Sequence, residues 1–260
     1  MTAASASATH SWGGYHWARQ ANPFTVKLGD NLTTAEWDSH LQQTSSDWTK
    51  STVLDTTIVA GGASGRKHCG ATSGRDEICN ASYGNNGWLG VAQIWLSGGH
   101  IVQGTVKVND YYLGQGATYA YNNTYEREHV MCQEIGHTFG LDHQDTSGAS
   151  FGTCMDYYHS TNSTSTSPNA GDYDELLCIY DPASAGKTLS SGSGSTAHSC
   201  RGTGHLDSTT TVGAVANGAA ADAIPSWANP SESVYEEHLP NGQTLLTYVR
   251  WAYPFHSLFY

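Results

Sequence analysis

Residues 133–143 read QEIGHTFGLDH, which sets two imidazoles, a carboxylate and an amide at spacings that suit a metal with a base beside it. Residues 124–139 contain no Pro, and no Gly apart from Gly136, and they read as a helix. Side chains four apart share a helix face, so Gln133 and His137 project side by side with Glu134 next to them. Gly140 can take the positive φ that ends a helix, after which the chain turns back. His143 then arrives from another direction and completes a set of three ligands. Three protein ligands leave a fourth position for water, the arrangement of a catalytic rather than a structural zinc. Glu134, beside that water, can take its proton and pass it to a leaving amine. The bland alternative is a solvated helix end that happens to carry these side chains. His129 is no ligand on this reading, since eight residues of helix put it about 12 Å from His137 along the axis.

A second element, GTCMDY at residues 152–157, lies about a dozen residues beyond His143. The first stretch matches H-E-x-x-H-x-x-G-x-x-H at every defined position except the first, where Gln133 replaces histidine. Met155 and Tyr157 then fall where a Met-turn carries its methionine and a tyrosine. Together the two elements resemble the metzincin zinc metallopeptidases, over residues 12–182. The resemblance implies an α+β fold, with a twisted mixed sheet, an active-site helix and an irregular lower subdomain across a cleft. It implies a zinc-dependent endopeptidase with His137 and His143 as ligands, Glu134 as base and Met155 beneath the zinc. Tyr157 would hydrogen-bond the developing oxyanion. Residues 88–96 would form the edge strand that pairs with an extended substrate.

Gln133 is the departure from that pattern. A glutamine binds zinc only through its carbonyl oxygen, a weaker donor than imidazole. It is therefore either an unusual third ligand or the mark of a lost activity. Asp156 offers a further alternative, because Gly152-Thr153-x-x-Asp156 also resembles the fragment from which aspartate-type zinc peptidases take their third ligand.

Composition bounds the setting. The 260 residues carry a formal charge of −12, only 13% charged side chains and 29 glycines, which suits a loop-rich secreted protein. The negative balance argues against nucleic acid and anionic membrane as partners and leaves room for structural calcium. No apolar run approaches the roughly 20 residues that span a bilayer. The expected partner is a protein or peptide in extended conformation, acted on by a monomer. Thr2–Ser11 is small and polar, as if Met1 replaced a removed leader.

Six cysteines without a C-x-x-C pair read as disulfides of an oxidising compartment. The expected pairs are Cys69–Cys79, closing a long loop, Cys132–Cys154, tying the metal helix to the Met-turn, and Cys178–Cys200. Sequons at Asn31, Asn80, Asn122 and Asn162 are compatible with glycosylation.

Along the chain, residues 1–11 read as a tail and 12–182 as the catalytic domain. Within the latter, Thr33 or Thr34 can cap a helix reaching about Lys50. Strands are expected at residues 24–28, 53–60, 88–96 and 101–109, with residues 61–86 as a stapled loop and 172–180 as a closing helix. Residues 183–225 are rich in Gly, Ser, Ala and Thr and read as a linker. The aromatic residues 226–260, with a Pro240-Asn241-Gly242 turn, read as a hairpin packed on the catalytic domain. Two other functions stay open: a binding protein or effector that kept the fold after losing a ligand, and a carbohydrate-binding or structural surface protein built on the aromatic tail.

Overall fold

The computed structural model describes residues 10–11, 14–181, 188–189, 198–199 and 234–252. Helix α1 (Ala35–Trp48) begins at Thr34, whose hydroxyl accepts from the Trp37 amide, with Glu36 and Asp38 favouring the positive end of the helix dipole. α2 (Asp110–Leu113) is one short turn. α3 (Thr124–Thr138) is capped by Asn123, and α4 (Ala170–Tyr180) starts on a capping box between Asn169 and Asp172.

The strands are β1 (His16–Trp17), β2 (Phe24–Asn31), β3 (Leu54–Ala60), β4 (Asp76–Ala81), β5 (Trp88–Ser97), β6 (His100–Asn109), β9 (Val234–His238) and β10 (Thr244–Trp251). They form one twisted, mixed sheet in the order β3-β2-β4-β6-β5-β10-β9, with β1 beside the start of β6. β3, β2, β4 and β6 run parallel, whereas β5, β10 and β9 join antiparallel. β7 (Thr188–Leu189) and β8 (His198–Ser199) pair separately. The protein is thus α+β. No helix among the described residues is long and apolar enough to cross a membrane.

α1 and α3 cover one face of this sheet. Leu41 and Trp48 from α1 meet Met131, Ile135 and the adjoining Phe139, over Leu28, Ile78, Ile94 and Val106. These side chains are essentially unexposed, and burying each contributes about 1.5–3 kcal/mol. The Trp48 indole also donates to the Cys132 carbonyl at 3.2 Å, fixing α1 against the metal-helix candidate.

Three expectations need correction. Residues 61–86 are not one loop, because Asp76–Ala81 forms β4 between β2 and β6. Its sequence, DEICNA, is poor in strand formers, and only its two neighbours make it a strand. Residues 88–97 are not a sheet edge: β10 lies along β5 in the register Leu246 opposite Ile94. Asn80 is buried, and its amide donates to Thr33 Oγ1 and Asp110 Oδ2, so it cannot take a glycan in this fold.

Cys69–Cys79 and Cys132–Cys154 are disulfide-bonded. The third expected pair ends at Cys200, outside the described residues. Cys132–Cys154 spans 22 residues between α3 and the turn at Met155, so replacing both cysteines by serine should cost ~2–4 kcal/mol. Urea denaturation of the double variant checks this. A loss below ~0.5 kcal/mol would show that the turn is held without the bridge.

Candidate active site

α3 and the turn after it bring together all the side chains that the sequence singled out at residues 133–143. Gly140 takes φ +93° at the helix end, with the Tyr15 carbonyl 2.2 Å from where a Cβ would stand. The chain reverses there and returns His143 to His137, with ring centroids 4.6 Å apart and planes at 81°. The Leu141 carbonyl faces His137 Nδ1 at 2.9 Å, which fixes that ring and reserves Nε2 for another partner. His143 Nε2 is buried with no hydrogen-bond partner. Burial holds both imidazoles in the neutral form, His137 at about 4 and His143 well below its ordinary value. Neutral imidazole is the form that binds a metal.

Gln133 is oriented without ambiguity. Its amide nitrogen donates to the Cys154 carbonyl at 3.0 Å and the Asp156 carbonyl at 2.8 Å. Two carbonyls on one side identify that atom as nitrogen. Oε1 is left buried and unpaired. Glu134 next to it is fully buried, and neither carboxyl oxygen makes a hydrogen bond of good geometry. Burial pushes its carboxyl well above the ordinary range, against smaller downward pulls from Arg250 and the backbone at Ala92.

Met155 sits beneath this helix turn, and Gly136 is what lets it. A Cβ at 136 would stand 2.5 Å from Met155 Sδ and 2.7 Å from Trp48. The Tyr157 ring lies edge-on to His143, centroids 5.1 Å apart. Its hydroxyl, expected to face a substrate, instead accepts from the Trp251 amide at 2.9 Å and lies 3.4 Å from the Val249 carbonyl, to which it donates.

Asp156 does not join this group through its carboxylate. Oδ2 accepts from the Phe151 amide at 2.5 Å, and the residue's carbonyl serves Gln133 and faces His129. Both ring nitrogens of His129 face backbone carbonyls, of Ser165 and Asp156, so it braces the Met155 loop. No group of three or more His, Cys, Asp or Glu placed for a metal occurs among the described residues. Structural calcium therefore finds no support there.

The orphaned atoms are the test of whether a zinc fits. Unpaired buried polar atoms also occur elsewhere in the fold, at Gln103 and Asp76 for example, but on residues 133–143 they are Gln133 Oε1, Glu134 Oε1 and Oε2, and His143 Nε2, the atoms that a metal and its water would engage. An oxygen and two imidazole nitrogens make an acceptable zinc donor set with a carboxylate alongside. The residues present fit the group.

Reading residues in sequence missed two participants. Gly90 on β5 gives Glu134 its room, since a Cβ there would stand 2.6 Å from Glu134 Oε1 and 2.7 Å from its Cγ. A lone glycine inside a strand signals such a close approach. Gly90→Ala should displace Glu134 and cost ~1–3 kcal/mol as overpacking. An unchanged thermal midpoint would show that the carboxylate has space to spare. Arg250 is the second, and nothing in its sequence setting announces it.

No family model matches the chain, and no curated protein does. Among solved structures, High choriolytic enzyme 1, a hatching enzyme zinc-protease from Oryzias latipes (medaka fish), is similar over 52% of this chain and 54% of its own. The identity is 8% and the TM-score 0.28. The chain thus spans about half the length of that protein. Myroilysin is similar over 68% of this chain and 96% of its own, at 11% identity and a TM-score of 0.35. Likenesses at these TM-scores say nothing of the site, which stands on its own residues.

Proposed function

We propose that the chain is a secreted zinc-dependent endopeptidase of metzincin type. The observation that carries this is the set of unpaired, buried polar atoms on Gln133, Glu134 and His143 around the fixed ring of His137. Gln133, His137 and His143 would hold the ion. A bound zinc supplies Lewis acidity to a peptide carbonyl and to water. The chain's own residues do the remainder. Glu134, which the charge of a bound zinc would hold ionised against the upward push of burial, takes the proton from the attacking water and returns it to the departing amine. Tyr157 hydrogen-bonds the oxyanion once its hydroxyl is released from Val249 and Trp251. Leu141 holds the His137 tautomer, while the Cys154 and Asp156 carbonyls aim Gln133 Oε1. Disulfides support the assignment to an oxidising, extracellular compartment.

Zinc content and casein hydrolysis measured on one sample test the reading. Zinc near one per chain is the expected result, with metal-dependent hydrolysis that is slow while β10 covers β5, and a protein that takes up no zinc sinks it. A second reading, a non-catalytic binding protein, draws on one observation: β10 covers the β5 edge where substrate would lie.

A further inference from the structure

The chain itself occupies the place expected for substrate. β10 runs antiparallel along β5, with Leu246 opposite Ile94, Thr247 opposite Gln93 and Tyr248 opposite Ala92. The Gln93 amide donates to Thr247 Oγ1 at 3.1 Å, so the pairing is fixed by side chains as well as backbone. From this strand Tyr248 stacks on the His137 ring, 4.3 Å between centroids and 8° between planes. Val249 and Trp251 engage the Tyr157 hydroxyl that the reaction needs. Arg250 fastens the strand to the loop after Met155, donating to the Asp156 carbonyl at 3.2 Å and to the Tyr158 carbonyl, with its guanidinium 4.6 Å over the Tyr157 ring.

The consequence is closure. Gln133 and Glu134 are 0% exposed and His137 1%. A hydrolytic site must admit water and peptide, and with β10 in place an extended peptide finds no free β5 edge to pair with. The hairpin's backbone is nevertheless bonded to the sheet through β10 only, since β9 pairs with β10 alone and forms the outer edge, while Tyr235 of β9 packs in one cluster with Trp88 and Val91 of β5. Its other side is guarded against further pairing by the exposed Glu236, Glu237 and His238.

We propose that residues 244–251 are an intrachain inhibitor strand, which pairs with β5 and caps His137 in the substrate's place, so that the chain is latent until the strand leaves. This rests on the zinc-endopeptidase reading above.

The test keeps the full chain and opens it at one point. A thrombin recognition sequence is inserted in the exposed turn between Asn241 and Gly242, and the folded, zinc-loaded protein is compared before and after cutting. Three quantities are read: zinc per chain, hydrogen exchange of the β5 amides, and casein hydrolysis. The expected result is loss of the C-terminal fragment by mass, faster exchange along β5, unchanged zinc and at least a tenfold rise in hydrolysis. Adding a synthetic peptide of residues 243–252 should reverse both the exchange and the rate. In the uncut chain, Arg250→Ala should loosen the same strand, with faster β5 exchange and a smaller rise in rate.

Release of the fragment with zinc retained and a measurable rate of hydrolysis unchanged overturns the proposal alone, whereas no hydrolysis before or after cutting removes the peptidase reading as well. So does a fragment that stays bound with β5 still protected, since β10 is then a permanent strand. A chain that takes up no zinc, cut or uncut, removes the peptidase reading and the proposal with it.

Discussion

Glu134→Ala leaves zinc content nearly unchanged and lowers casein hydrolysis by ~10²–10⁴, the usual cost of removing a general base. On the proposed reading the base acts on water and the three donors to the ion lie on other residues, so binding and turnover should separate. Alanine also empties the space that Gly90 keeps clear beneath the carboxylate, and Glu134→Gln is the companion variant that preserves shape while removing the base. Both should be inactive in the intact chain and in the chain cut at the hairpin turn. Zinc per chain and initial rates on the same samples decide the matter. Near wild-type turnover in either variant takes Glu134 out of the mechanism.

Gln133→Ala is expected to lose zinc or activity, and Gln133→His to bind zinc more tightly. An amide oxygen is a neutral and weaker donor than imidazole, so the native site should hold its ion less firmly than a three-histidine site. Its weaker donation would leave the ion electron-poor and its water acidic, so on the proposed reading activity should survive the lower affinity. The amide is held for this task, because Cys154 and Asp156 carbonyls take its nitrogen and leave Oε1 free. Loss of even an outer partner of a metal site costs ~10–100-fold in affinity, and loss of a ligand should cost at least that. Alanine further strands the buried Cys154 carbonyl, worth about 1–3 kcal/mol if left unpaired, while the Asp156 carbonyl keeps its bond from Arg250, so the variant should also melt earlier. Competition with a chelator gives the affinities. A Gln133→Ala protein that matches wild type in zinc retention and turnover makes the glutamine a bystander.

Much of the site was legible because its rules are local. The i, i+4 spacing of Gln133 and His137, the absence of Pro through the helix and the glycine at position 140 specify a helix, its end and a reversal within a few residues. Cysteine positions beside Gln133 and Met155 likewise made the Cys132–Cys154 bridge readable, because each sits one residue from a group whose place matters. Asn123 and Thr34 cap their helices through contacts three residues away, and such contacts are written in order along the chain.

What the tertiary structure decided is what depends on residues far apart in sequence. β4 is a strand because β2 and β6 flank it, and DEICNA carries no strand signal strong enough to say so. The room for Glu134 is set by Gly90, and the aim of Gln133 by two carbonyls more than twenty residues later. The Pro240-Asn241-Gly242 turn in an aromatic segment announced a hairpin, yet such a signal states only that strands pair, not with what. Only the folded chain selects β5 as that partner, about 150 residues earlier, where backbone pairing and the stacking of Tyr248 on His137 make a terminal hairpin the lid of the candidate metal site.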